Sequence, residues 1–197
     1  YGQGNTCATA DPFCTGTTYT FPNNIGTTAP AGNNYDCLWS QPNPVWYYME
    51  IDQAGNLILN IDQTSATGVG LDVDFILYGP YDNYTQAMSY CGNMGNGGPL
   101  GVNSVIDCSY SAAAIEIATI PNAIPGQVYV ILLTNYSNQS GNITFSQTGG
   151  TGSTDCSIVT CSADAGTYSL AVNGLNVPAG TPITLCPDDC IDILSNN

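Results

Sequence analysis

The chain of 197 residues carries no lysine, arginine or histidine against fifteen aspartates and glutamates, giving a formal net charge of -15. Without those side chains there is no Ser-His-Asp or Cys-His relay, no Schiff-base lysine and no cationic clamp for phosphoryl groups. An all-anionic chain also repels nucleic acid and acidic membrane surfaces, and it has no side-chain salt bridges to hold its fold.

The rest of the composition suits packed β structure. Hydrophobic residues make up 43%, and thirteen tyrosines accompany two tryptophans, types that favour pleated, half-buried surfaces. From the N-terminus, an arm bearing Cys7, Cys14 and Cys37 leads to Val45-Trp46-Tyr47-Tyr48-Met49-Glu50-Ile51, a run of β-formers. Ala54-Gly55-Asn56 reads as a turn into residues 57–61, predicting a β-hairpin. In that second run Leu57, Leu59 and Ile61 share one face, with Asn60 on the other. Residues 71–78 alternate in the same way and are expected to stop at Gly79-Pro80. The Gly- and Asn-rich stretch 91–98 has no period and reads as a surface loop. Residues 114–120, 128–134 and 142–147 complete the strands, and 128–133 is apolar on both faces, as a covered central strand would be. Short strands at this spacing predict an all-β fold, an antiparallel β-sandwich or jelly roll, over residues 1–150.

Residues 148–154 change to Gly, Ser and Thr, so 151–155 is read as a flexible linker. Beyond it, residues 156–197 are too few to bury a core unaided. A strand at 167–172 before Asn173-Gly174 suggests the start of a second, disulfide-stapled and Ig-like β domain. No apolar run reaches the roughly 18 residues of a membrane span, so direct insertion is not expected. No basic-then-apolar leader precedes Tyr1, and the chain reads as a mature or excerpted segment.

Several motifs occur in a familiar order. Asp11-Pro12-Phe13-Cys14-Thr15-Gly16 leads to Pro44-Val45-Trp46-Tyr47-Tyr48, then to Gly70-Leu71-Asp72-Val73-Asp74-Phe75 and Tyr78-Gly79-Pro80. Asp107-Cys108-Ser109-Tyr110-Ser111, Leu133-Thr134-Asn135-Tyr136-Ser137 and Gln147-Thr148-Gly149-Gly150 follow. This string, over about residues 7 to 156, resembles the N-terminal module of large gliding-motility adhesins of Bacteroidetes exported by type IX secretion. That module in turn resembles the bacterial pre-peptidase C-terminal domain, a β-sandwich appended to secreted proteins. The resemblance implies a noncatalytic structural or adhesive module, extracellular and attached to the outer membrane or built into a filament. Its implied partners are other domains or subunits of the same surface protein.

Asp72 and Asp74 sit two apart on a predicted strand, so both carboxylates leave one face. With Asp82 beyond the Gly79-Pro80 turn they form a candidate oxygen-ligand set for Ca²⁺. A solvated polar face is the plainer reading, and no EF-hand loop or glycine-aspartate repeat is present. Uncompensated carboxylates should also make stability depend on screening or on bound divalent ions.

Nine cysteines and no histidine leave only an all-cysteine zinc site, and Cys186 and Cys190 lack a matching second pair. Disulfides in an oxidising compartment are the better reading. Cys91 and Cys108 flank the Gly-rich excursion and are expected to pair, while Cys7 or Cys14 with Cys37 would tie down the arm. Cys156, Cys161, Cys186 and Cys190 stay unassigned. The Asn-x-Ser/Thr sequences at Asn83, Asn135, Asn138 and Asn142 are read as turn chemistry. Trp39, Trp46, Tyr47 and Tyr48 are expected in the core, with a sugar-stacking platform as the alternative. A carbohydrate-binding module of a secreted enzyme, with glycans as partners, is therefore the rival function. Paired carboxylates alone can run glycoside hydrolysis, but no catalytic signature accompanies them and no enzyme is expected.

Overall fold

The computed structural model describes residues 4–97, 101–155, 168–172, 175–177 and 191–195. The chain divides into two compact units, Tyr1–Asp155 and Cys156–Asn197. In the second, β11 (Tyr168–Val172) pairs antiparallel with β12 (Leu175–Val177) and with β13 (Ile191–Ser195). Cys156, Cys161, Cys186 and Cys190 lie outside the described residues.

The first unit is a β-sandwich. One sheet runs β1 (Asp11–Pro12), β3 (Pro44–Gln53), β8 (Val128–Asn135), β5 (Val73–Tyr81), β6 (Ser104–Ser109), with β10 (Ser153–Thr154) also on β3. The other runs β2 (Tyr19–Pro22), β9 (Gly141–Gly150), β4 (Gly55–Ser65), β7 (Ile115–Ala123). Pairing in the first unit is antiparallel except between β1 and β3. Strand alternation explains the core between the sheets. Val45, Tyr47, Met49 and Ile51 enter it from one side, and Leu57, Leu59 and Ile61 meet them from the other. Phe13, Phe145 and Tyr19 close one region of it by ring contacts, with Phe13 and Phe145 centroids 4.3 Å apart.

The doubly apolar run 128–133 has a second use. Ile131 and Leu133 face the interlayer core, while Val130 and Leu132 face outward with Trp46, Ile76 and Tyr78. That outer face is roofed by Leu38, by Met94 and by Ala87 of the short helix α1 (Tyr84–Ser89). Each fully buried large apolar side chain contributes roughly 1.5–3 kcal/mol relative to exposure. Two such clusters stabilise a fold that has no side-chain salt bridges.

Four local expectations are corrected. The segments 45–51 and 57–61 do not form a hairpin: β3 and β4 belong to different sheets, and the chain turns a corner at Ala54. Gly55 permits it with φ +147°, where a Cβ would collide with Thr151 and lie 2.6 Å from the Gly152 nitrogen. Residues 151–155 are not a free linker, because Ser153 and Thr154 pair with Gln53 and Ile51. Thr154 and Thr15 exchange backbone-to-hydroxyl hydrogen bonds of 2.9 and 3.1 Å. β5 continues through Gly79 and Pro80 to Tyr81. The Gly-rich stretch is not all surface, since Met94 is buried and touches the Cys7 sulfur at 3.6 Å.

Candidate functional site

The first sheet's outer face ends in a polar patch. Asp74 pairs in register with Thr134, and paired residues project to the same side of a sheet. Along β5 that side carries Ile76 and Tyr78 in the roofed cluster, so Asp74 points the same way. Asp72 precedes it by two residues, between buried Leu71 and Val73, and its carbonyl accepts from the Ser137 backbone at 3.2 Å in the turn after β8. Both aspartates therefore leave one face, as the sequence suggests.

Asp74 and Thr134 are buried, at 1% and 0% exposure. Asp72 Oδ1, Asp74 Oδ2 and Thr134 Oγ1 are inaccessible and have no hydrogen-bond partner. Burial first, then the charges of Asp72 and Glu116, push the Asp74 carboxyl up to about 7 against an opposing backbone hydrogen bond at Ser111. Burial also raises Asp72. Glu116 is drawn inward by register: Ala118 and Ile120 must face the core, so Glu116 shares their side while Ile115 and Ile117 are exposed. Its Oε1 is likewise buried and unpartnered.

Asp82 does not join them. It follows the far end of β5, eight residues beyond Asp74, on the order of 25 Å at strand rise. There its Oδ2 accepts from Gln86 Nε2 at 2.8 Å, and its backbone donates to Gln86 Oε1 at 2.7 Å, beside the N-cap of α1. The Asp72–Asp74–Asp82 ligand set is thus not assembled. No group of three cysteine, aspartate or glutamate side chains fit to hold a metal occurs among the described residues. Thr134 is the member that sequence reasoning missed, since only cross-strand register sets it beside Asp74, while Glu116, facing the interlayer core from the other sheet, reaches Asp74 through its charge alone.

Aromatic rings border the patch. Tyr110 and Tyr136 meet edge to face with centroids 5.2 Å apart, and both are partly exposed. The Tyr136 hydroxyl is raised first by its hydrogen bond with Tyr110, then by the charges of Tyr110, Asp72 and Asp74. Ser40 Oγ lies 3.4 Å from the Tyr110 hydroxyl, and the adjacent Trp39 is 90% exposed. Trp46, Tyr47 and Tyr48 are buried, so the expected core placement holds for three of the four aromatics and fails for Trp39.

The cysteine pairing is corrected as well. Cys91 joins Cys7, and Cys108 joins Cys37, with Cα separations of 5.5 and 6.2 Å. Cys14 is also disulfide-bonded. Cys91 and Cys108 do not pair with each other because both serve to fasten covering segments. Cys108, opposite Ile76 on β6, meets the 29–38 cover, and Cys91 follows α1 where the arm's 3-10 turn Cys7–Thr9 lies. The excursion between them is closed instead by Asn103, which accepts from the Tyr81 hydroxyl at 2.8 Å and donates to the Asn93 carbonyl at 2.9 Å. Asn83 acts as turn chemistry, its Oδ1 capping α1, whereas buried Asn135 donates both to the nearby Gln139 carbonyl and to the distant Asn24 carbonyl, and Asn138 Oδ1 accepts from the distant Gly26 backbone and Asn43 Nδ2. Disulfides of this kind belong to an oxidising, extracellular or secretory compartment. Among the described residues no helix is long and apolar enough to cross a membrane.

No protein-family profile matches the sequence, and comparison with curated proteins finds no relative. Among solved structures, the chain is similar to the pre-peptidase C-terminal domain of a collagenase from Bacillus anthracis, at 14% identity and a TM-score of 0.41. The match covers 71% of this chain and 94% of that one.

Proposed function

We propose that this chain is a noncatalytic structural or adhesive module of a large secreted surface protein, working in surface attachment or gliding. The observation that supports it most is the stapled cover: Cys7–Cys91 and Cys37–Cys108 fasten both loop layers over the sheet's outer face. Such a unit resists mechanical and proteolytic opening, and without lysine or arginine it offers trypsin-like proteases no cleavage site. The order of sequence motifs is in keeping with the same reading. Immunogold labelling of intact source cells with antibody to the module tests it. Decoration of surface filaments or the outer membrane is expected, and label confined to the cell interior contradicts the reading.

One observation favours a rival, the carbohydrate-binding module. Trp39 stands almost fully exposed, with Tyr110 and Tyr136 near its neighbour Ser40, and exposed rings stack on sugar faces. A glycan array separates the two. Saturable binding lost on Trp39→Ala or Tyr110→Ala, with the fold intact by circular dichroism, selects the rival.

A further inference from the structure

The geometry points to a hard divalent cation, Ca²⁺ by its chemistry, held on the outer face of the first sheet by Asp72, Asp74 and Thr134. This inference stands whichever reading above holds. Three features of the patch carry it.

First, the orphaned atoms are all oxygens: Asp72 Oδ1, Asp74 Oδ2 and Thr134 Oγ1 are each shut from solvent without a hydrogen-bond partner. A buried carboxylate oxygen left unpaired loses its hydration with nothing in return unless something compensates it. Second, this chain has no cation of its own to place there, since it contains no lysine, arginine or histidine. Compensation comes from solution, as a proton or as a bound cation, and only the cation also uses the neutral Thr134 hydroxyl as a ligand. Third, Thr134 is not acidic, yet it is fully buried directly opposite Asp74 with its hydroxyl unused. A threonine merely packed in this sheet would turn that hydroxyl to a carbonyl or lose nothing as valine; as a neutral oxygen ligand it has a use.

Oxygen-only ligation selects Ca²⁺ or Mg²⁺ over transition metals. Ca²⁺ takes six to eight oxygens in adaptable geometry and accepts direct protein ligands, whereas Mg²⁺ demands near-ideal octahedra and keeps its waters. The side chains supply about three to five oxygens depending on carboxylate denticity, and water fills the remainder. Asp72, only partly buried, gives the ion its path inward. Glu116 adds negative potential without being required as a ligand. Two carboxylates and one hydroxyl place the affinity in the range of extracellular modules, on the order of 10⁻⁴ to 10⁻³ M.

Tyr110 and Tyr136 make the test specific, because tyrosine excitation sensitises emission from Tb³⁺ bound within a few ångström. Tb³⁺ is titrated onto the full chain in 150 mM NaCl, which screens diffuse binding to the acidic surface, and Ca²⁺ is then added in competition. Expected is saturable emission at one ion per chain, displaced by Ca²⁺, weakened at least tenfold by Asp74→Asn and clearly by Thr134→Val, and unchanged by Asp82→Asn. Near-ultraviolet circular dichroism verifies that each variant is folded, and Asp72→Asn replaces Asp74→Asn should the latter fail to fold. Emission that never saturates, or that folded Asp74→Asn or Asp72→Asn retains at full affinity, overturns the assignment. Equal loss in Asp82→Asn does the same.

Discussion

Asp74 and Thr134 face each other across β5 and β8, both buried, each with a side-chain oxygen lacking any hydrogen-bond partner. In metal-free solution this arrangement sets a pH dependence. Burial, then Asp72 and Glu116, lifts the folded-state Asp74 carboxyl from 3.8 to about 7. The folded chain therefore binds this proton more tightly than the unfolded chain does. The stabilisation is fully present below the ordinary carboxylate value and is lost as pH rises through about 7. Glu50, raised by burial and by Asp155, acts in the same direction. With EDTA present and ionic strength fixed, the melting temperature should fall between pH 4.5 and pH 8, and Asp74→Asn should flatten that slope. A melting temperature that climbs across this window contradicts the assignment.

The two tryptophans should respond oppositely to truncation. Trp46 is fully buried and stacks on Tyr78 at 6.3 Å, whereas Trp39 is 90% exposed. Trp46→Ala is expected to cost about 3–5 kcal/mol through lost burial and a cavity. Trp39→Ala should stay within about 0.5 kcal/mol. Urea denaturation followed by tyrosine fluorescence measures both. A large cost at Trp39 would mean that it is covered.

The contrast between these two residues shows what the sequence could and could not reveal. Trp46 lies inside a run whose alternate members face two cores, so its burial follows from strand propensity and flanking apolar residues. Trp39 lies beside Ser40 in a segment without period, and nothing local distinguishes cover from surface. The strands themselves were legible because alternation at 57–61 and the doubly apolar 128–133 are local patterns. Their pairing was not. Ala54-Gly55-Asn56 serves a hairpin or a sandwich corner equally well, and the choice is made by β9 and β7 capturing β4 while β8 holds β3. The same non-local register sets Thr134 against Asp74, which no spacing in the sequence announces. Asp82 failed for the converse reason, since nearness in sequence along an extended strand means distance in space.

Disulfide connectivity makes a further prediction. Cys7–Cys91 and Cys37–Cys108 span 84 and 71 residues, loops long enough for each bridge to restrict the unfolded chain by about 4–5 kcal/mol on the chain-entropy model. Native strain and residual structure lower that figure, so Cys37→Ser paired with Cys108→Ser should destabilise by about 2–4 kcal/mol. Trypsin has no site here, but the many tyrosines suit chymotrypsin. Non-reducing digestion should yield a peptide linking Cys7 to Cys91 and another linking Cys37 to Cys108. Recovery of a Cys91–Cys108 peptide would reject this connectivity.

The residues after Gly150 should prove part of the sandwich. Gly150 closes β9 at φ +93°, where a Cβ would strike the Asn56 carbonyl, and Gly152 donates to that same carbonyl at 3.0 Å. Ser153 and Thr154 then run along β3, and Asp155 donates to the Glu50 carbonyl at 2.8 Å. Thr154 meanwhile holds the arm through its paired bonds with Thr15. A chain ending at Gly150 gives up these backbone bonds and leaves the Thr15 amide without its acceptor. At roughly 0.5–1.5 kcal/mol for each net hydrogen bond, the loss sums to several kcal/mol. Variants ending at Gly150 and at Asp155 isolate the effect. The longer should unfold at clearly higher urea concentration and protect from hydrogen exchange the amide of Thr15, which donates to Thr154 Oγ1. Equal midpoints and equal exchange would restore the tail to a linker.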